Sequence, residues 1–350
     1  MTSFLVLCEL GKKIFIFGLK LSHMNISIES WANLDKGSRI KSYDFIEDFV
    51  SRNVHDWNKA PDTEAIEKLF TEEIEHLDNT AFSFLLCHNG YIPEFYGHDS
   101  SQETLFSKLI ESLVCEWAKR IGFRESILQK QKSNKEDITI RKDNLVIVCD
   151  AKSFRLGRSQ AAPNVKDTVK KAAYLSWLDQ YDSSNRVGGL ITFPSLHDWQ
   201  RQSEAYKYFT EGAPPIMLLF YEQLSFLLIN GYSEVDIITF MKKYNEIFPV
   251  SSEKRHVYEK GLVDNLFSRN IDEYNRFQSF FSNIIKEKVS YTIQKIDDYL
   301  LKTRVEIERD ISNMTEIEIQ NIAINTLYEN KCKQLVDQKE NIIKFRPHFS

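Results

Sequence analysis

The sequence lacks the patterns that mark disulfide-rich, zinc-binding and membrane-spanning proteins. Its five cysteines, at positions 8, 87, 115, 149 and 332, form no C-x-x-C pair, and its eight histidines are not paired at metal-ligand spacing. We therefore expect neither a disulfide framework nor a zinc cluster, and a reducing cytoplasm is the expected location. The apolar stretch 4–21 is interrupted by Glu9 and three lysines, so it is too polar to span a bilayer and no membrane association is expected.

The composition is that of an ordinary globular protein. The 350 residues are 42% apolar and 27% charged, with no internal repeat and no low-complexity linker. Such a chain buries about three quarters of its unfolded surface. Met24 is a plausible alternative start, so we interpret residues 1–23 as an extension upstream of the true start. A β-hairpin at 1–23 is the competing interpretation.

Apolar spacing predicts strands that alternate with helices. Four helices are predicted: one that begins at Asp62, one over 100–122, one that ends at Leu178 and one over 199–209. Short buried strands are predicted at 189–193 and 216–220, and almost everything from 253 to 344 has a helical pattern. The prediction is an α/β fold, with a mixed β-sheet core flanked by helices and a large helical C-terminal part.

The most informative segment is 136–152, which reads as a β-hairpin carrying two aspartates and a lysine. Apolar runs at 138–140 and 145–149 flank a turn-like stretch at 141–144. Side chains alternate along a strand, so Asp150 and Lys152 share one face. If the connection has an even number of residues, Ile140 faces Leu145 and Asp137 faces Val148. An odd connection would put Asp137 on the opposite face.

This set of side chains suits hydrolysis of a phosphodiester. Mg²⁺ is usually held by one or two carboxylates together with waters and substrate phosphate oxygens. A bound cation polarises the phosphoryl oxygen and acidifies the attacking water, and a lysine stabilises the charge that develops. Without a cation, two neighbouring carboxylates repel, and the pKa of one of them should rise.

The acid-x-Lys pattern alone is weak evidence. It recurs at Glu329 and Lys331 and at Asp337 and Lys339, in a charged helical stretch where solvated helix faces are the simpler interpretation. What distinguishes Asp150 and Lys152 is the apolar strand before them and a second acid on the partner strand. A strand that ends in ordinary surface charges is the alternative.

Positive charge is concentrated around the hairpin. The whole chain carries −5, but residues 119–171 contain 14 Lys and Arg against 6 Asp and Glu, a net charge of +8. This distribution favours a phosphate-lined groove on an otherwise acidic body. Chance clustering on a solvated face is the alternative.

Glu103 is a candidate third acid, because it extends the apolar stripe of the predicted helix 100–122 by one turn. It also fits a purely structural role. Ser100 and Glu103 match a capping box, in which the glutamate satisfies a free backbone donor at the helix start.

The segment 150–158, Asp-Ala-Lys-Ser-Phe-Arg-Leu-Gly-Arg, resembles the HindIII-type family of type II restriction endonucleases. Residues 164–167 (Asn-Val-Lys-Asp), the helix ending near Trp177 and the stretch 101–108 are also similar to that family. The resemblance is specific over about 100–177. It implies a PD-(D/E)xK nuclease fold, a Mg²⁺-dependent homodimer and double-strand DNA cleavage within a palindrome.

Carried over by position, Asp137 and Asp150 are the implied metal ligands, Lys152 the catalytic lysine and Glu103 a supporting acid. The chain departs from the family pattern at Glu136, which stands where a proline is expected before the first aspartate. A competing placement uses Asp167 with Lys170. It is disfavoured because these residues fall at a helix start, with no strand to organise them.

The resemblance also makes residues 159–168 the expected base-reading element. Asn pairs with adenine and Lys reaches guanine in the major groove, so Asn164 and Lys166 are candidate readers, with Asp167 grouped beside them. Arg155 and Arg158 are candidates for phosphate contacts, and plain surface residues are the alternative for each. The implied target resembles AAGCTT, although residues 159–163 differ from the family.

These expectations divide the chain into an extension at 1–23, a nuclease core at 24–250 with its catalytic hairpin at 137–152, and a helical region at 251–350 for packing or dimerisation. The expected partners are double-stranded DNA, a second copy of the chain and, genetically, a cognate DNA methyltransferase. A non-specific or repair-type nuclease of the same fold, and a catalytically silent DNA-binding protein, remain the alternatives.

Overall fold

The computed structural model describes residues 31, 33–130, 135–156, 170–196, 205–210, 212, 214–251 and 254–345. The chain divides into two compact units, the first extending to residue 285 and the second comprising residues 286–350. The predicted extension at 1–23 lies outside the described residues. Within the described part, no helix has the length and apolarity needed to cross a membrane.

The first unit is an α/β structure, as the sequence predicts. Its strands are β1 Glu125–Leu128, β2 Ile138–Lys142, β3 Leu145–Ala151, β4 Arg186–Phe193 and β5 Ile216–Phe220. Its helices are α1 Lys36–Asn53, α2 Thr63–Glu75, α3 Asn79–His88, α4 Ser101–Arg120, α5 Lys171–Leu178, α6 Ala205–Thr210, α7 Tyr221–Ile229, α8 Glu234–Lys242, α9 Tyr244–Ile247 and α10 Arg255–Asn265. Helix α11, Ile271–Ser312, begins in this unit.

The five strands form one mixed sheet in the order β1-β2-β3-β4-β5. β1, β2 and β3 are antiparallel neighbours, whereas β3, β4 and β5 run parallel. Val148 and Cys149 are adjacent on β3 and therefore point to opposite faces, and both are completely buried. The central strand is thus covered on both sides. This explains why its sequence is continuously apolar instead of alternating.

The hairpin between β2 and β3 is tighter than the sequence suggested. Ile140 pairs with Ile147 and Lys142 with Leu145, so Asp143 and Asn144 alone form the turn. Asp143 adopts a φ of 52°, a left-handed conformation that Asp tolerates better than most residues. The predicted pairing of Ile140 with Leu145 was therefore wrong by two residues. The loop still has an even number of residues, so the faces of the two strands are unchanged.

Helix α4 is anchored where the sequence predicts. The Ser100 side chain accepts a hydrogen bond from Glu103 N at 3.2 Å, which caps the first turn. Gly122 follows the last turn with a φ of 112°, as expected for a helix C-terminus. Trp117 Nε1 donates to Leu224 O on α7 at 2.8 Å, a buried bond that links the two helices.

The other helices agree with the predicted pattern. Asp62 caps α2 by accepting from Ala65 N at 3.1 Å, and α5 ends at Leu178 as predicted. Of the helix predicted over 199–209, the structure describes only α6, because residues 197–204 lie outside the described part. The predicted helical C-terminal region is confirmed by α10, by α11 and by α12, Glu316–Phe345, which lies in the second unit.

Candidate active site

The β2–β3 hairpin brings together the two aspartates and the lysine that the sequence singles out. Ile138 pairs with Cys149, which places Asp137 level with Asp150 instead of Val148. Asp137 Oδ2 accepts a hydrogen bond from Ala151 N at 3.2 Å. Lys152 Nζ lies 2.6 Å from Asp150 Oδ1. The three side chains therefore meet at the carboxyl end of β3.

The environment of this cluster disfavours a charged Asp150. Asp150 is only 4% exposed, and burial raises its pKa to about 7. The charge of Lys152 opposes this rise, and the neighbouring Asp137 reinforces it. Burial lowers the pKa of Lys152, but the charges of Asp150 and Asp137 outweigh this effect and the net shift is upward. The lysine therefore remains an ammonium ion beside two carboxyl groups.

These residues fit a hard divalent cation. Two carboxyl groups share one ammonium, so ionisation of both leaves a buried excess of negative charge that a cation would neutralise. Oxygen donors of this kind suit Mg²⁺, which needs only one or two protein carboxylates because waters and phosphate oxygens complete its shell. Across the described residues, no three acidic, histidine or cysteine side chains are grouped closely enough to hold a metal ion by themselves.

Two buried tyrosines border the cluster. Tyr174 on α5 donates from its hydroxyl to Asp150 Oδ2 at 3.0 Å. Tyr221 at the start of α7 donates to Lys152 O at 2.7 Å. Burial raises the pKa of both hydroxyls well above the ordinary value, and the nearby Asp150 charge raises both further. Both tyrosines therefore remain neutral donors. Sequence reasoning identified neither.

Glu103 has partners outside the Asp137–Asp150–Lys152 cluster. Its Oε2 accepts from Asp99 N at 2.9 Å and from Arg155 Nη2 at 3.0 Å. The backbone donor lies one residue before Ser100, so this is a shifted form of the capping box that the sequence suggested. These contacts give Glu103 a local structural role at the start of α4.

Arg155 is buried inside the protein, at 7% exposure. It donates to Pro93 O at 3.1 Å and to Gly97 O at 3.1 Å, in addition to its bond with Glu103. A phosphate contact requires an accessible guanidinium, so this geometry does not support the DNA-contacting role that the sequence suggested for Arg155. The other suggested DNA-contacting residues, Asn164, Lys166, Asp167 and Arg158, lie outside the described residues.

Glu111 is an acid near the site that sequence reasoning missed. It is 2% exposed on α4 and forms an ion pair with Lys108. Its charge also contributes to raising the pKa of Lys152. The available signal was a glutamate directly after Leu109 and Ile110, in an otherwise apolar part of the helix. Charged residues are rarely buried without a partner.

The class of fold follows from these features. A five-stranded mixed sheet is flanked by helices, and an acid-x-Lys pair stands at the end of its central strand beside a second acid. This is a restriction-endonuclease-like α/β fold.

Comparison with known families agrees with this class. The family model for HindIII restriction endonuclease matches residues 48–253, which include the whole sheet and the hairpin. The match covers more than half of the chain, and the protein belongs to the HindIII restriction endonuclease family. Among curated proteins, no match is found.

Proposed function

We propose that this protein is a Mg²⁺-dependent type II restriction endonuclease that cuts both DNA strands within a specific palindrome. The observation that carries the proposal is the convergence of Asp137, Asp150 and Lys152 on one hairpin, within a chain of a restriction endonuclease family. The AAGCTT-like target belongs to the same proposal, and so does a cytoplasmic location beside a cognate DNA methyltransferase that protects the host genome.

Asp137 and Asp150 would hold the cation. When bound, Mg²⁺ supplies positive charge that polarises the scissile phosphate and favours ionisation of water. Asp150 is held by Lys152 and by Tyr174, so its carboxyl group is oriented before substrate arrives. Such preorganisation avoids the cost of reorganising the site during reaction.

Lys152 would act on the substrate itself. Its side chain keeps 28% of its surface exposed, whereas that of Asp150 keeps 6%. The ammonium can therefore reach an incoming phosphate or water without leaving its carboxylate partner. In this position it would orient the attacking water and stabilise negative charge on the phosphate oxygens. Glu111 on α4 would add a third negative charge to those of Asp150 and Asp137, and so help to keep Lys152 protonated.

A homodimer completes the proposal, because two equal sites related by a two-fold axis match a palindrome and cut both strands. Exposed apolar side chains support self-association through the helical C-terminal region. Of 21 exposed large apolar residues in the described part, 14 lie between Ile293 and Tyr328, beyond the segment matched by the family.

A second copy of the chain is the occupant that we propose for this apolar segment. A stable interface needs about 800 Å² from each partner. Two helices of roughly 20 residues, each about 30 Å long and about 10–12 Å wide, present a face of roughly this size. Light scattering of the full chain should give the mass of two copies. The double variant Leu300→Asp with Leu327→Asp should give the mass of one copy. Val250→Asp, at a still more exposed apolar site elsewhere, should leave the mass unchanged.

The experiment for activity is digestion of a sequenced plasmid with and without Mg²⁺, using the wild type beside Lys152→Ala, followed by sequencing of the ends. We expect discrete fragments whose ends map to AAGCTT-like sites. They should form only with the wild type and only in the presence of Mg²⁺. A ladder of fragments would indicate a non-specific nuclease. Binding without any cleavage would indicate a silent DNA-binding protein.

A further inference from the structure

Tyr174 makes a hydrogen bond that the proposed reaction does not itself require. It lies on the short helix α5, is 1% exposed, and donates from its hydroxyl to Asp150 Oδ2 at 3.0 Å. The opposite oxygen of the same carboxyl group, Oδ1, lies 2.6 Å from Lys152 Nζ. Each carboxyl oxygen of Asp150 therefore has its own partner, Tyr174 for Oδ2 and Lys152 for Oδ1.

The Tyr174 ring occupies space that a glycine on β4 leaves open. A Cβ atom at Gly189 on β4 would lie 2.5 Å from Tyr174 Cδ1, closer than any ordinary contact. The absence of a side chain at 189 thus leaves the space that the ring fills. Gly189 pairs with Val148 on β3, two residues before Asp150. Strand β3, which carries Asp150, and strand β4, which contacts the Tyr174 ring at Gly189, are therefore direct neighbours.

We propose that Tyr174 is a positioning residue that orients the Asp150 carboxyl group for a divalent cation; this inference rests on the proposed function. A carboxylate has roughly four lone-pair sites, so each Asp150 oxygen keeps one for a metal after accepting its hydrogen bond. Partners that hold a metal ligand in place are typically worth about 10- to 100-fold in metal affinity.

Other buried tyrosines show what a purely structural hydroxyl does in this fold. The Tyr258 hydroxyl accepts from Leu218 N and donates to Leu218 O, both at 2.8 Å, and thereby satisfies the backbone of β5. Tyr174 instead donates to an ionisable side chain. Removal of the Tyr174 hydroxyl should therefore change metal binding as well as stability, whereas removal of the Tyr258 hydroxyl should change stability alone.

The test compares Tyr174→Phe with the matched control Tyr258→Phe. Mn²⁺ binding to the full chain without DNA is measured by electron paramagnetic resonance, and the Mg²⁺ concentration that gives half-maximal plasmid cleavage is measured in parallel. For Tyr174→Phe we expect the Mn²⁺ dissociation constant and the half-maximal Mg²⁺ concentration both to rise by about 10- to 100-fold. Most of the maximal cleavage rate should be recovered at saturating Mg²⁺. For Tyr258→Phe we expect both values to stay close to those of the wild type, because its hydroxyl bonds to the backbone of β5.

The two ideas fail in different ways. If the wild type cleaves plasmid while Tyr174→Phe binds Mn²⁺ as tightly as the wild type, the positioning role is overturned and the proposed function stands. A reduced maximal rate with unchanged metal constants likewise overturns the positioning role. If the wild type cleaves no DNA at any Mg²⁺ concentration, the proposed function fails, and with it the inference that rests on it.

Discussion

Two ion pairs in this protein have cations that are close in sequence, Lys152 and Arg155, and the pairs differ in their balance of charge. In one pair, Lys152 lies 2.6 Å from Asp150, with Asp137 beside them. In the other, Arg155 lies 3.0 Å from Glu103. Arg155 also donates to two backbone carbonyls, and Glu103 also accepts from a backbone amide. The second pair is balanced, whereas the first has one carboxyl group too many.

The excess carboxyl group is what distinguishes a candidate cation site from a structural ion pair. A balanced buried pair matters mainly when it is broken, because removal of one partner leaves a buried charge uncompensated and destabilises the fold. An unbalanced pair keeps one acid partly protonated, which is unfavourable until a cation binds. Burial is the main cause of the raised pKa of Asp150, and the neighbouring Asp137 raises that pKa further.

The largest expected effect comes from the unbalanced pair. Lys152→Ala should lower the cleavage rate by about 10²–10³-fold, because the charge that stabilises the transition state is lost. Quantified plasmid cleavage at saturating Mg²⁺ measures this. Lys119→Ala is the matched control, since Lys119 pairs with Glu75 on the surface, and it should cleave at nearly the wild-type rate. Equal rates for the two variants would remove Lys152 from the chemistry.

Disruption of the balanced pair, Arg155 and Glu103, should lower stability and leave cleavage nearly unchanged. Arg155→Ala leaves the half-buried Glu103 carboxylate without its cation and should lower the free energy of unfolding by about 3 kcal/mol, as measured by urea denaturation. Cleavage per folded molecule should remain within a few-fold of the wild type. A variant of normal stability with weakened DNA binding would instead restore the phosphate-contacting role that the sequence suggested for Arg155.

The last expected effect is a pH dependence of stability in metal-free protein, which is gradual and spread over about three pH units. The pKa of Asp150 is raised to about 7 by burial, against its ordinary value of 3.8. Between these values the folded state holds a proton that the unfolded state has lost, so stability falls as pH rises. The free energy of unfolding of wild type minus Asp150→Asn should therefore decline by about 1 kcal/mol per pH unit from pH 4 to 7. A difference that is flat or rises over this range would contradict the shift.

Much of the fold was predictable because its signals are local. The apolar run of β3, the Asp62 and Ser100 caps and the stripe of α4 each predict an element that the structure contains. The strand faces of the hairpin also followed from alternation. Its register did not, because the sequence does not reveal that Arg141 and Lys142 extend β2 and leave a two-residue turn.

The surroundings of the candidate site could not be predicted, because they depend on contacts between distant segments. Arg155 reads as a surface cation until the chain around Pro93 and Gly97 closes over it. Glu111 comes near Lys152 only when α4 packs against the sheet. Tyr174 reaches Asp150 across 24 residues of sequence.

The most direct test of the central claim is to locate a divalent ion in the protein. Crystals of the full chain soaked with Mn²⁺ would be examined for anomalous scattering. We predict one strong peak within coordination distance of carboxylate oxygens from both Asp137 and Asp150, with Lys152 Nζ beside it. A peak bound elsewhere, with these two aspartates making no contact to any ion at saturating Mn²⁺, would contradict the account.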